Sequence, residues 1–456
     1  MNHRAAWSGA CIVLFSSVSA AIAPAQTFTT LVSFNGTDGF QPFYISLVQG
    51  ADGNFYGTTY AGGANADGTV FKMTPAGSLT TIHSFAGADG IYPYAGLLLA
   101  TDGNLYGTTN EGGANGYGTI FKTSPAGTLT TLHSFDGTDG SYPIGGLVQG
   151  SGGSFYGTAN TGGANGYGTV FRMAPGGTLS TLHSFDLSDG AYPWSGLVEA
   201  ANGIFYGTTN GIGSSSYGTT FAIAADGTLT TLHNFDLTDG AYPEGSLFQG
   251  SNGAFYGTTF DGGSIGYGTI FRMTPKGALT SVHSFALSDG EYPVAPVIQA
   301  TDGNFYGTTR GGGAGGDGTI FKITPEGALT TLHGFEGPDG NAPTGGLVQG
   351  TDGNLYGTTS SGGADNAGTV FKLSVGLGPF VKTVPTSGKV GETVRILGTD
   401  LTGPVSVTFA GTPAEIAFAS SSEIVTAVPP GAATGKVQVS AAGRTLVSNV
   451  AFRVTP

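Results

Sequence analysis

Six histidines recur at one position of a fifty-residue period: His83, His133, His183, His233, His283 and His333. Gathered in one cavity, such imidazoles would bind a metal. Strand alternation instead sets each beside core residues, as Leu79 and Phe85 flank His83. Equivalent positions in separate repeats also stand far apart, so these histidines read as structural, hydrogen-bonded within or between units. An Asp-Gly pair follows that segment in seven copies, at Asp38, Asp89, Asp139, Asp189, Asp239, Asp289 and Asp339, and Asp136 and Asp186 precede two of them. Two carboxylates three residues apart fall short of calcium's ligand count, and a turn at the repeat junction is expected. Cations share one position as well, at Lys72, Lys122, Arg172, Arg272, Lys322 and Lys372. They either pair with the junction aspartates or hold solvated heads over apolar stems.

The candidate ligand-binding residues are aromatic. Tyr117, Tyr167, Tyr217 and Tyr267 precede Gly-Thr-x-Phe in four copies, and Trp194 follows one of the recurrent Tyr-Pro pairs. Rings on neighbouring loops would stack on sugars or grip another surface protein; packing among the loops is the competing reading. A catalytic site needs non-equivalent residues, and here the acids that break the repeat are singletons: Glu111, Glu199, Glu244 and Glu291. No serine–histidine–acid set, metal-ligand cluster or phosphate-binding glycine loop stands out, so no catalytic residue, cofactor or metal is expected.

The elements that must position these residues follow from the repeat. Tyr-Gly-Thr recurs from Tyr56 to Tyr356 and Gly-Thr-x-Phe from Phe71 to Phe371, each in seven copies. Each unit offers four short runs rich in β-branched and aromatic residues, GLVQG, SFYGTA, GTVFRMA and TLSTLHSF in the third copy. Asp-Gly or Asn-Gly and Thr-Pro-x-Gly turns separate them, and helical periodicity is absent. Four antiparallel strands per fifty residues predict a propeller blade. The seventh unit stops at Ser374 without its last strand, while Phe28-Thr29-Thr30-Leu31-Val32-Ser33-Phe34 supplies that piece at the other end. The expected fold is all-β: a seven-bladed β-propeller of four-stranded blades closed by the N-terminal strand, with no free sheet edge at the join.

Composition bounds location and partners. Residues 1–25 have one cation at Arg4, an apolar run and Ala23-Pro24-Ala25, the layout of a cleavable secretory signal. The one cysteine, Cys11, lies within it, so the exported chain would have no disulfide. A secreted, extracellular or periplasmic location is expected, with no transmembrane segment after signal removal. The formal net charge of −14 argues against a nucleic-acid partner.

The run DGNLYGTT, then GG, GTVFK and TLHSF resembles the GloVer-type tandem repeat of secreted bacterial proteins, over about Leu31 to Leu373. The resemblance implies a secreted or surface-associated propeller-like protein and supplies no catalytic residue or substrate. Residues 375–379 read as a linker after a propeller spanning 26–374. From Phe380 to Pro456 the segment with Pro385-Thr386-Ser387-Gly388, Val405-Ser406-Val407-Thr408-Phe409 and Val428-Pro429-Pro430-Gly431 resembles an IPT/TIG immunoglobulin-like sandwich. The leading expectation is a non-enzymatic protein binding carbohydrate or another surface protein through propeller loops. An extracellular enzyme acting on polysaccharide or cell wall is the alternative, marked by two carboxylates at the channel mouth where a repetitive wall would favour binding. A ligand-free spacer is the other, marked by buried or scattered tyrosine loops.

Overall fold

The computed structural model describes residues 26–200, 202–403 and 405–455, and their regular elements are all strands. The expected signal at 1–25 lies outside the described residues. Among these residues no helix is long and apolar enough to cross a membrane.

Seven four-stranded antiparallel sheets form the ring. In the third unit the strands are Val148–Gln149, Phe155–Ala159, Thr169–Met173 and Leu179–Ser184, hydrogen-bonded in that order. The two-residue strand is innermost, and the residues just before it in each unit, such as Gly146 and Leu147, line a central channel.

The repeated motifs are explained by register. Gly157 lies opposite Phe171, and a Cβ there would stand 2.6 Å from the Phe171 ring tip. The glycine of Tyr-Gly-Thr therefore makes room for the phenylalanine of Gly-Thr-x-Phe. Phe171 is fully buried, and burial of each such side chain contributes about 1.5–3 kcal/mol. Alternate residues reach the neighbouring blade: the Tyr156 ring lies 4.0 Å from that of Phe205, and Phe185 packs edge-on to Phe221 at 5.4 Å. Thr158 donates across the same boundary to the Ser195 carbonyl at 2.8 Å.

The ring closes as the sequence predicts. Thr27–Ser33 pairs antiparallel with Thr369–Ser374 and completes the seventh sheet. Phe34 is buried and packs on Phe71 of the first blade at 5.3 Å.

The polar residues at the blade junctions are engaged internally. Each of the six histidines brings Nε2 to the Oδ2 of the aspartate six residues on, at 2.6–3.1 Å. The other oxygen caps the turn, as Asp89 Oδ1 accepts from the Ala86 N–H at 2.9 Å. Pairing of the repeated cations with these aspartates is therefore corrected. Lys72 sits 2.7 Å from Asp52, the acid of its own first hairpin. Its strand register places it opposite Tyr56, whose hydroxyl donates to Asp52 at 2.8 Å. Where that hairpin lacks an acid, Arg172 donates to Ser154 Oγ instead.

Beyond the ring, a four-stranded and a five-stranded sheet form a sandwich. Its core includes Val394, Ile396, Val407, Phe409, Val437 and Phe452, with Phe409 edge-on to Phe452 at 5.1 Å. This module is docked on the propeller. Ser422 Oγ donates to the Ala51 carbonyl at 2.8 Å, and Arg395 Nε to the Thr101 carbonyl at 3.1 Å. The Phe380 N–H donates to the Thr351 carbonyl at 3.0 Å, and Leu397 is buried in a cluster with Leu99 and Tyr56. These contacts all involve the turn end where the innermost strand meets the second.

Candidate functional site

At the opposite end of the strands the repeat stops repeating. The residue after each junction proline differs in every unit: Phe43, Tyr94, Ile144, Trp194, Glu244, Val294 and Thr344. The residue before each proline holds a left-handed backbone, with φ between 52° and 56° at Gln41, Tyr92, Tyr142, Tyr192, Tyr242, Tyr292 and Ala342. Such a conformation costs a non-glycine residue about 1–2 kcal/mol. It bends each junction at the mouth of the channel, where the variable residues gather.

Tyr44 makes the ring still less regular. From Asp38 to Leu47 is nine residues, whereas from Asp89 to Leu97 is eight, so the first unit has one extra residue here. Tyr44 takes the left-handed φ of 55° that accommodates the insertion. Its hydroxyl donates to Glu244 Oε2 at 2.6 Å, joining residues two hundred positions apart. Its ring stacks on Tyr94 at 5.4 Å and meets Trp194 at 6.2 Å, so three aromatic rings and one carboxyl group meet across the channel mouth. Burial raises the Glu244 carboxyl above its ordinary value, against the hydrogen bonds from Tyr44 and Asn210 and the charge of Arg310. Burial, then Glu244, also raises the Tyr44 hydroxyl. Below them the channel cavity, about 240 Å³, is walled by residues such as Gly96, Gly146, Gly196 and Ser246. The wall is tight: a Cβ on Gly96 would stand 2.5 Å from the Ser46 carbonyl oxygen.

Beside this cluster a groove of about 910 Å³ opens on the same end of the ring. Phe43 and Tyr60 lie on one side and Phe260 and Tyr292 on another, with Arg310 and Glu291 among the polar lining. Each side carries a stacked pair of rings: Tyr60 on Tyr92 at 4.6 Å, and Phe260 on Tyr292 at 4.7 Å. Tyr60, Phe260 and Arg310 occupy one repeat position, at which the other units have Asn110, Asn160, Asn210 and Ser360. Flat apolar faces beside hydrogen-bonding groups suit a polyhydroxylated ring.

The residues singled out in the sequence are separated. Tyr117, Tyr167, Tyr217 and Tyr267 stay one to a blade, each edge-on to the next unit's Tyr142, Tyr192, Tyr242 or Tyr292 at 6.1–6.3 Å. None of the four lines the groove or the channel. Trp194 does line the channel, and its buried indole N–H has no acceptor among the described residues. The channel wall is not repetitive at its mouth, and Glu244 is the one carboxyl group lining it among the described residues. Sequence reasoning missed Tyr44, Tyr60, Phe260 and Arg310. The available signal was variability itself, at positions where the remaining repeat is uniform.

Two family models match the chain. The Gloeobacter/Verrucomicrobia repeat model matches residues 17–221 and 195–412, and the IPT/TIG domain model matches residues 379–454. No curated protein matches it. Among solved structures, a gluconolactonase from Xanthomonas campestris aligns at 12% identity over 59% of this chain and 82% of its own, with a TM-score of 0.39. A putative 6-phosphogluconolactonase from Bacteroides fragilis aligns at 17% identity over 77% and 92%, with a TM-score of 0.47. Likenesses at this level say nothing about activity. The chain belongs to the Gloeobacter/Verrucomicrobia repeat family, and its repeats are followed by an IPT/TIG domain.

Proposed function

We propose that this is a secreted, non-enzymatic protein that binds a glycan in the groove at the channel mouth. The observation that carries the reading is convergence. Two repeat positions that differ from unit to unit bring Phe43, Tyr60, Tyr94, Phe260 and Arg310 to one cavity, while the residues that recur in every unit are absorbed in packing. The docked C-terminal module occupies the far end of the ring and leaves this end to a ligand.

Glu244 favours a second reading, since a carboxyl group whose hold on its proton is strengthened by burial is suited to general-acid work. Glycoside cleavage needs a second carboxylate beside it. Asp261 and Glu291 line the groove instead of the channel, and both Glu244 oxygens accept hydrogen bonds, from Tyr44 and Asn210. Binding accounts for the arrangement better.

The test is a glycan array and purified cell-wall fractions probed with the chain and a Tyr60→Ala/Phe260→Ala variant, alongside an assay for released reducing ends. Saturable binding lost in the variant, without release, is the expected result. Release of reducing ends that stops in Glu244→Gln would establish the enzyme reading.

A further inference from the structure

Three charged side chains line the groove, and two of them, Arg310 and Glu291, have opposite signs but form no ion pair with each other. The Arg310 and Glu291 side chains both line it, yet neither has a hydrogen-bond or ion-pair partner among the described residues. Both belong to the sixth unit, where Glu291 forms a β-bridge with Gly311, the residue after Arg310. The Glu291 carboxylate lies over that backbone: a Cβ on Gly311 would stand 2.7 Å from its Oε1. At the Glu291 position the other units carry Phe40, Ile91, Ser141, Ala191, Ala241 and Asn341, and the Arg310 position is likewise uncharged elsewhere. Both charges thus arise in one unit, on adjoining loops that face one cavity.

We infer that the ligand of this groove is an uncharged sugar, selected by Arg310 and Glu291 acting as a donor and acceptor pair on neighbouring hydroxyls. This rests on the glycan-binding reading and adds the class of sugar. A hydroxyl group both accepts and donates, so one sugar oxygen takes an N–H from the guanidinium while its neighbour gives its proton to the carboxylate. The ring face lies on Phe260 or Tyr60, the aromatic residues at either side of the two charges. A uronic acid fits poorly. Asp261 also lines the groove, giving two carboxylates against one guanidinium, on a chain whose formal net charge is −14. An amino sugar would be drawn by the two carboxylates, but its ammonium has no lone pair to accept from the guanidinium, so the donor half of the pair would go unused.

The experiment is calorimetric titration of the full chain, Arg310→Ala and Glu291→Gln with three oligosaccharide sets: neutral hexose oligomers including N-acetylated ones, uronate oligomers, and deacetylated glucosamine oligomers. Neither substituted side chain has a hydrogen-bond or ion-pair partner among the described residues, so both variants keep the fold, checked by their melting temperatures. The inference predicts binding of a neutral set, little changed by salt, and a loss of about 10- to 100-fold in each variant, as for hydrogen bonds to charged groups. Tighter binding of uronates that collapses in Arg310→Ala, or of glucosamine oligomers that collapses in Glu291→Gln, would overturn the choice of sugar and leave the glycan reading in place. Unchanged affinity for neutral sugars in both variants would overturn the role of the pair. Failure of all three sets would contradict the glycan reading itself.

Discussion

The boundaries between blades and the mouth of the channel are built from the same units, yet they differ in one respect. At the boundaries the copies repeat one another: the phenylalanine over glycine and the tyrosine against the next blade in all seven, the histidine on its aspartate in six. At the mouth seven copies place seven different residue types after the proline. Repetition marks where a residue solves a packing problem that recurs with each blade. Divergence marks where one asymmetric ligand must be met by one asymmetric surface.

Perturbing the boundaries should cost stability in proportion to what is buried. Deleting 26–34 removes the strand that completes the seventh sheet and bares an edge, so the chain is expected to lose its cooperative melting transition and to aggregate. Phe171→Ala, at a fully buried ring, should cost about 3–5 kcal/mol in denaturant unfolding. His183→Ala removes one hydrogen bond, to Asp189 at 2.7 Å, and should cost about 1 kcal/mol. Equal costs at the equivalent histidines would sharpen the contrast; a loss of ligand binding there would break it.

The mouth should respond with the opposite sign. The folded chain raises the Glu244 carboxyl above its ordinary value of 4.5, so the folded state binds a proton more readily than the unfolded state. Its contribution to stability is complete below that value and is lost as pH rises through the folded pKa. Glu244→Gln keeps an acceptor for Tyr44 without the ionisation. It should therefore gain on the wild type as pH is raised from 4.5 upward, read as the difference between the two melting curves. A difference that does not vary with pH would contradict the burial argument.

The ring, its closure and the sandwich were legible in the sequence because strand alternation and turn residues recur with a fixed period. The sites were less so. Tyr117, Tyr167, Tyr217 and Tyr267 drew attention by recurring, but recurrence set each against the tyrosine of the next unit. Tyr60, Phe260 and Arg310 share a position that appears in sequence only as a variable residue after Tyr-Gly-Thr-Thr. Their convergence depends on the ring bringing the fifth, sixth and seventh units round to the first, which no local pattern expresses. Tyr44 was hidden similarly: the one-residue insertion can be counted in the sequence, but its role shows only once the channel gives it Glu244 to reach.

The most direct measurement compares two aromatic sets in one assay. The glycan affinity of the chain would be measured beside that of Tyr60→Ala/Phe260→Ala and of the fourfold Tyr117→Ala/Tyr167→Ala/Tyr217→Ala/Tyr267→Ala variant. With each lost ring contact at about 0.5–1.5 kcal/mol, the groove variant should bind about 10- to 100-fold more weakly. The fourfold variant should bind as the wild type does. Loss of binding in the fourfold variant with the groove variant unaffected would move the site to the rim and contradict the account.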